Sequence, residues 1–116
     1  MIIGLPYPPS LNRYYRTVKG RILISAEGRK YRETVADYVA ESRAGAGLLG
    51  RLGVEISVFP PDKRRRDLDN TMKALLDSLT HAGVWQDDSQ IDFLSIRRGE
   101  PYFGGQVQVH VRELQQ

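Results

Sequence analysis

Leu52, Val54, Ile56 and Val58 alternate with Gly53, Glu55 and Ser57, and the run stops at Pro60-Pro61. Residues two apart on a strand share a face, so this stretch predicts a strand with one face buried and the other open. Proline offers no N–H to a ladder, which ends the strand there. Such a strand requires neighbours beside it and helices over its apolar face.

The helical layer is legible in two places. Met72, Leu75, Leu76 and Leu79 recur at i, i+3, i+4 and i+7, and Gly83 supplies a C-terminal stop. Earlier, Ser25 is the expected N-cap of a helix carrying Tyr31, Val35, Tyr38, Val39 and Ser42 at helical spacing, followed by the glycine-rich connection RAGAGLLG. Tyr31 and Tyr38 suit either the core or a subunit interface, and Trp85 is expected in packing. Residues 1 to 5, SQIDFLSI and QVQVHVREL read as further strands, the last with Val107, Val109 and Val111 inward and joined to its predecessor by the loop GEPYFGG. NRYYRTVKGRILIS predicts a hairpin turning at Lys19-Gly20, with Tyr14, Tyr15 and Ile22 to Ile24 as strand formers. The order is then β, hairpin, α, β, α, β, β. This is an α/β (α+β) chain, a single domain over residues 1–116 with a mixed β-sheet, two α-helices and an N-terminal β-hairpin.

Composition removes several function classes. With no cysteine and two scattered histidines, disulfides and thiolate zinc sites are excluded, and any metal must be held by oxygen. No run approaches the roughly 20 apolar residues of a membrane span. The opening MIIGLPYPPS does not read as a secretory signal, so a cytoplasmic location is expected. No small-molecule cofactor is expected. Positive charge is localised: residues 1–32 carry seven Lys/Arg against the lone Glu27, and Lys63, Arg64, Arg65 and Arg66 form a second cluster. Nucleic acid is the leading anionic partner, with a merely solvated basic face as the alternative.

The densest pattern is DKRRRDLDNTMK, Asp62 to Lys73, where the four cations run into Asp67 and Asp69. In extended backbone, Asp67 and Asp69 would point the same way and could converge on one ion just before the helix begins. Lys73 follows Asp69 by one helical turn. WQDDSQ adds Asp87 and Asp88, and the strand after it is expected to carry one of them back toward the pair. Three hard oxygen donors suit Mg²⁺ or Mn²⁺. The alternative is structural, with Asp67 or Asp69 as an N-cap and Asp87-Asp88 as turn residues; spacing alone leaves both open. An EF-hand is excluded, because its sixth position would be Met72 and its twelfth Ser78. Self-neutralising surface pairs, worth about 0–1 kcal/mol, are a weak reason for such dense alternation. Phosphodiester hydrolysis uses both signs, cations for flanking phosphates and carboxylates for a metal.

LPYPPSLNRYYR, SAEGRKYRE and PDKRRRDLDNTMKALLDSLTHAGVWQDDSQI together resemble the RusA-type Holliday junction resolvases, over nearly the whole chain. The resemblance implies that Asp67, Asp69 and Asp88 are the essential metal-binding carboxylates, with Lys73 an active-site lysine and Arg66 an arginine beside it. It also implies a Mg²⁺-dependent homodimer, encoded by a bacterium, phage or prophage, that makes paired nicks across four-way junction DNA. On this reading Lys63, Arg64, Arg65 and Arg66 grip backbone phosphates, and Arg13 and Arg16, with Lys19 and Arg21, form a second surface. Tyr14 and Tyr15 stack on exposed bases or pack internally. Asn70 contacts DNA or supports the helix start, and Asp87 is a neighbouring or alternate ligand. A C2 dimer would match the two-fold symmetry of the junction. Two competing functions are a non-catalytic branched-DNA-binding module and a metal nuclease for other branched or single-stranded nucleic acid.

Overall fold

A computed structural model describes residues 1–42 and 47–114. The part of the glycine-rich connection at 43–46 lies outside the described residues. The elements are β1 (Ile2–Pro6), α1 (Leu11–Tyr14), β2 (Tyr15–Val18), β3 (Arg21–Ile24), α2 (Ala26–Ser42), β4 (Leu52–Phe59), α3 (Met72–His81), β5 (Ile91–Arg98) and β6 (Gln106–Glu113). Short 3₁₀ turns at Leu68–Thr71 and Asp88–Gln90 precede α3 and β5. β1, β6, β4 and β5 form one sheet in that order, with β4 and β5 parallel and the other pairs antiparallel.

The register explains the core. Ile3 pairs with Val109, Val109 with Ile56, and Ile56 with Ile96, so one row of apolar side chains crosses all four strands. Ile3, Leu5, Leu52, Val54, Ile56, Val58, Val107, Val109 and Val111 are buried with Tyr31, Val35 and Val39 of α2 and Met72, Leu75 and Leu79 of α3. Complete burial of one such aliphatic side chain contributes about 1.5–3 kcal/mol. Trp85 is buried and donates its indole N–H to Thr80 Oγ1 at 2.6 Å. Tyr31 belongs to the core and donates to the Pro6 carbonyl at 2.7 Å, whereas Tyr38 is exposed. No described helix is long and apolar enough to cross a membrane.

The N-terminal hairpin differs from its sequence reading at one end. Its turn is at Lys19-Gly20, with φ of 50° and 75°, the left-handed pair that a two-residue hairpin turn needs. Tyr14, however, is helical: its N–H reaches the Ser10 carbonyl at 2.8 Å, closing the single-turn helix α1. Among the described residues there are therefore three α-helices where two were expected. Among the described residues β2 and β3 pair only with each other, forming a separate two-stranded arm.

Candidate nucleic-acid interface and metal-ligand residues

The loop after β4 is organised by Asp62. Its carboxylate accepts the Arg64 backbone N–H at 2.8 Å and the Arg66 guanidinium at 2.7 Å, with Arg64 Nε 3.3 Å away. Arg66, and after it the Arg64 N–H, hold the Asp62 carboxyl well below the ordinary aspartate range. Two of the four cations, Arg64 and Arg66, thus have an internal counterion. Lys63 and Arg65 are exposed and have no ion-pair partner among the described residues. Arg98, at the end of β5, donates to the Arg66 carbonyl at 2.7 Å and joins this cationic group. Nothing in the local sequence marks Arg98, since a strand ending in RR is equally an ordinary solvated edge.

Asp67 enters the 3₁₀ turn in extended conformation, with φ −73° and ψ 136°, but Asp69 lies inside that turn. The extended-chain alignment expected for the two residues is absent, and both lie in or beside the tight turn that leads into α3. Asp67 occupies the N-cap position, yet its carboxylate caps nothing. Both aspartates are exposed, and among the described residues neither carboxylate has a hydrogen-bond or ion-pair partner. Capping therefore does not account for them. Lys73, the second residue of α3, is exposed one turn beyond Asp69 without an ion pair among the described residues.

Two clefts flank this corner and share Tyr7 and Arg66. One is lined by Lys63, Arg64, Asp67 and Arg98, the other by Arg13, Asn70, Thr71 and Glu27. Arg13 and Asn70, assigned to DNA from distant parts of the sequence, are thus brought to one groove. Arg16 projects on the arm. Tyr14 is corrected as a base-stacking residue: it is 0% exposed, and its hydroxyl donates to Asp77 of α3. Burial first and the Asp77 carboxylate second push its phenol well above the ordinary range, so it remains a donor. Tyr15, partly exposed, packs edge-on against it with ring centroids 4.9 Å apart.

Asp87 and Asp88 are neighbours in one turn. Asp87 is the N-cap of the second 3₁₀ turn: its Oδ1 accepts Ser89 N–H at 2.9 Å, while Gln90 Oε1 accepts the Asp87 N–H at 3.0 Å. The Ser89 N–H is the main cause of its lowered pKa, and Asp88 is a lesser one. Asp87 thus serves the turn that precedes β5, the structural alternative that its sequence position offers. Asp88 is exposed in the turn itself. β5 does not return it to Asp67 and Asp69. Because β4 and β5 are parallel, pairing from Leu52 with Ile91 to Val58 with Arg98 with one register shift after Leu52, the residues preceding β5 lie at the opposite end from those following β4. At about 3.3 Å per residue, β5 separates Asp88 from that pair by on the order of 20 Å. Among the described residues, no three Asp, Glu or His side chains converge in a metal-ligating group.

A family model described as Endodeoxyribonuclease RusA matches residues 6–112. The chain is 44% identical over 112 residues to a crossover junction endodeoxyribonuclease of Enterobacteria phage 82, covering 97% of this chain and 93% of the relative. The corresponding proteins of Escherichia coli K12 and Enterobacteria phage HK97 are each 42% identical, over 97% and 96% of this chain and 93% and 92% of their own lengths.

Proposed function

The chain belongs to the RusA family of endodeoxyribonucleases, and on that premise we propose that it resolves four-way DNA junctions by Mg²⁺-dependent phosphodiester hydrolysis as a cytoplasmic homodimer. The observation that carries this reading is the pair of uncommitted carboxylates, Asp67 and Asp69, beside a cation-lined cleft. A helix start that needed them only as caps would have engaged them.

The donor set suits a hard divalent ion, since exposed aspartates offer oxygen ligands without losing other bonds. Asp67 and Asp69 would hold it together with Asp88, and Mn²⁺ would serve in its place. When bound, such an ion supplies Lewis-acid stabilisation at the phosphoryl group and acidifies the attacking water. The chain's own residues do the rest. Lys63, Arg65 and Arg98 bind phosphates flanking the cut, and Asp62 holds Arg66 in place before DNA arrives. Lys73 is a compact cation placed to stabilise charge developing on the phosphoryl oxygens.

The remote position of Asp88 supports a dimer. β5 is an edge strand with Phe93 46% and Leu94 42% exposed, an arrangement that invites pairing. Antiparallel pairing of β5 with its two-fold copy would bring the Asp88 end of one chain alongside the Asp67 end of the other. Each site would draw Asp67 and Asp69 from one protomer and Asp88 from its partner. The test is cleavage of a synthetic mobile four-way junction with and without Mg²⁺, against linear duplex, a flap and RNA at one salt concentration. Selective, metal-dependent, paired nicking is expected; equal rates on all substrates would overturn junction selectivity, and cleavage without divalent ion would overturn the metal role.

A further inference from the structure

The β2–β3 arm is an unusual object for a stable chain. A two-stranded hairpin is marginal in water unless something covers a face, yet this one adds no strand to the main sheet. Tyr15 is opposite Ile24 and Thr17 opposite Ile22, so these four side chains share a face. That face continues onto α1 as a groove lined by Leu11, Asn12, Tyr15, Arg16, Thr17 and Ile22. Ile22 is 71% exposed. The arm is nevertheless held firmly at its base. Tyr14 binds Asp77, Tyr15 packs on Tyr14, and the Tyr14 carbonyl accepts Ser25 N–H at 2.9 Å.

Charge identifies the missing cover. Residues 11–24 contain Arg13, Arg16, Lys19 and Arg21 and no acid, and all four cations are exposed. A second copy docked symmetrically on this face would set the two cationic arms against each other. Nucleic acid offers the complement, with flat apolar bases inside a rim of phosphates. We propose that the arm is a wedge, in which Ile22, Leu11 and Tyr15 pack on bases unstacked at the DNA branch point while the four cations hold the adjoining phosphates. This inference rests on the junction-resolving function proposed above. Apolar side chains entering a helical stack are an established means of opening a base step, at a cost offset by wider protein contact. A branch point is already partly unstacked, so the same wedge enters there more readily than into continuous duplex. The arm thereby becomes a determinant of junction preference.

The experiment compares the wild-type chain with Ile22→Ser and Tyr15→Ser, without divalent ions, on a four-way junction carrying 2-aminopurine at the branch and on a duplex of the same arm sequence. Wild type is expected to raise the 2-aminopurine emission on binding. Ile22→Ser is expected to lose most of that rise and to lower the junction-over-duplex preference about tenfold, the effect of roughly one base-stacking contact. The salt dependence is expected to persist, because the cations remain. The exposure of Ile22 makes the substitution compatible with folding, which an unchanged thermal melt checks. Undiminished emission and preference in both variants would overturn the wedge alone. A change of oligomeric state in sedimentation would overturn it in favour of a second copy on this face. Equal wild-type binding to junction and duplex would overturn the functional reading and the wedge with it.

Discussion

The Tyr14 hydroxyl donates to the Asp77 carboxylate, joining residues 63 apart in sequence. Tyr14 is the last residue of α1 and the base of the arm, and Asp77 lies one helical turn beyond Lys73. The contact therefore fixes the arm relative to the helix that follows Asp67 and Asp69. Arg32, 3.5 Å from the same carboxylate, is its other partner. Tyr14→Phe is expected to cost about 2 kcal/mol, the range for a hydrogen bond to a charged group. Urea denaturation of the two proteins measures it, and a difference near zero would show that Arg32 alone suffices.

Subunit mixing tests the composite carboxylate site. Asp69→Asn and Asp88→Asn homodimers are each expected to be inactive. In a mixed dimer, one site receives both substitutions and the other receives neither. Mixing is therefore expected to restore nicking at one strand per junction, to about a quarter of the wild-type level for random exchange at equal ratio. A site built within one chain would carry one substitution in each copy and stay inactive.

Lys63→Gln with Arg65→Gln is expected to reduce the slope of log K against log salt by about 2, one for each phosphate contact removed. Arg64→Gln should have a smaller effect, because Asp62 already neutralises part of its charge. Fluorescence-anisotropy titrations across a salt series measure these slopes. Identical slopes for all variants would remove the loop from the DNA contact.

The depressed pKa of Asp62 gives an acid-sensitive contribution to stability. An ordinary aspartate titrates near pH 4, so the unfolded chain takes up this proton first as pH falls. The contribution is complete above about pH 4 and is lost as pH falls further through the depressed folded value. Urea midpoints measured between about pH 5 and 2 should decline less steeply for Asp62→Asn than for wild type. Parallel declines would contradict the Arg66 pairing.

Gly28 sits against the arm base, where a Cβ would lie 2.6 Å from the Tyr14 carbonyl oxygen and 2.8 Å from an Ile24 methyl. Gly28→Ala is expected to destabilise the protein by about 1–3 kcal/mol despite alanine's better helix propensity, because backbone must move. A thermal melt unchanged or raised would show that α2 shifts freely.

Periodicity made most of the fold legible in advance. The Leu52 to Val58 alternation and the Met72 to Leu79 stripe each depend on side-chain direction within one element, which local sequence encodes. Tyr14 departs from its strand expectation because an aromatic residue beside a strand satisfies strand propensity equally well. Its burial and its bond to Asp77 come from a distant helix. Asp67 and Asp69 stood out because opposite charges were crowded together, but the counterion role of Asp62 depends on how the loop folds back. The position of Asp88 was hidden for a different reason. Sequence spacing gives the length of the α3 crossover but not its direction, and a parallel β4–β5 pair sends the chain to the far end before β5 begins.

That parallel pair has a consequence for the dose of the protein in a cell. A nuclease whose acidic ligands leave opposite ends of one edge strand is not armed by folding alone. Under the composite-site reading, a newly made chain binds DNA as a bystander until it meets a second, so activity at low abundance rises with the square of protein concentration. Dilution then acts as a safety catch, withholding single unpaired cuts from a chromosome until enough protein is present to make two.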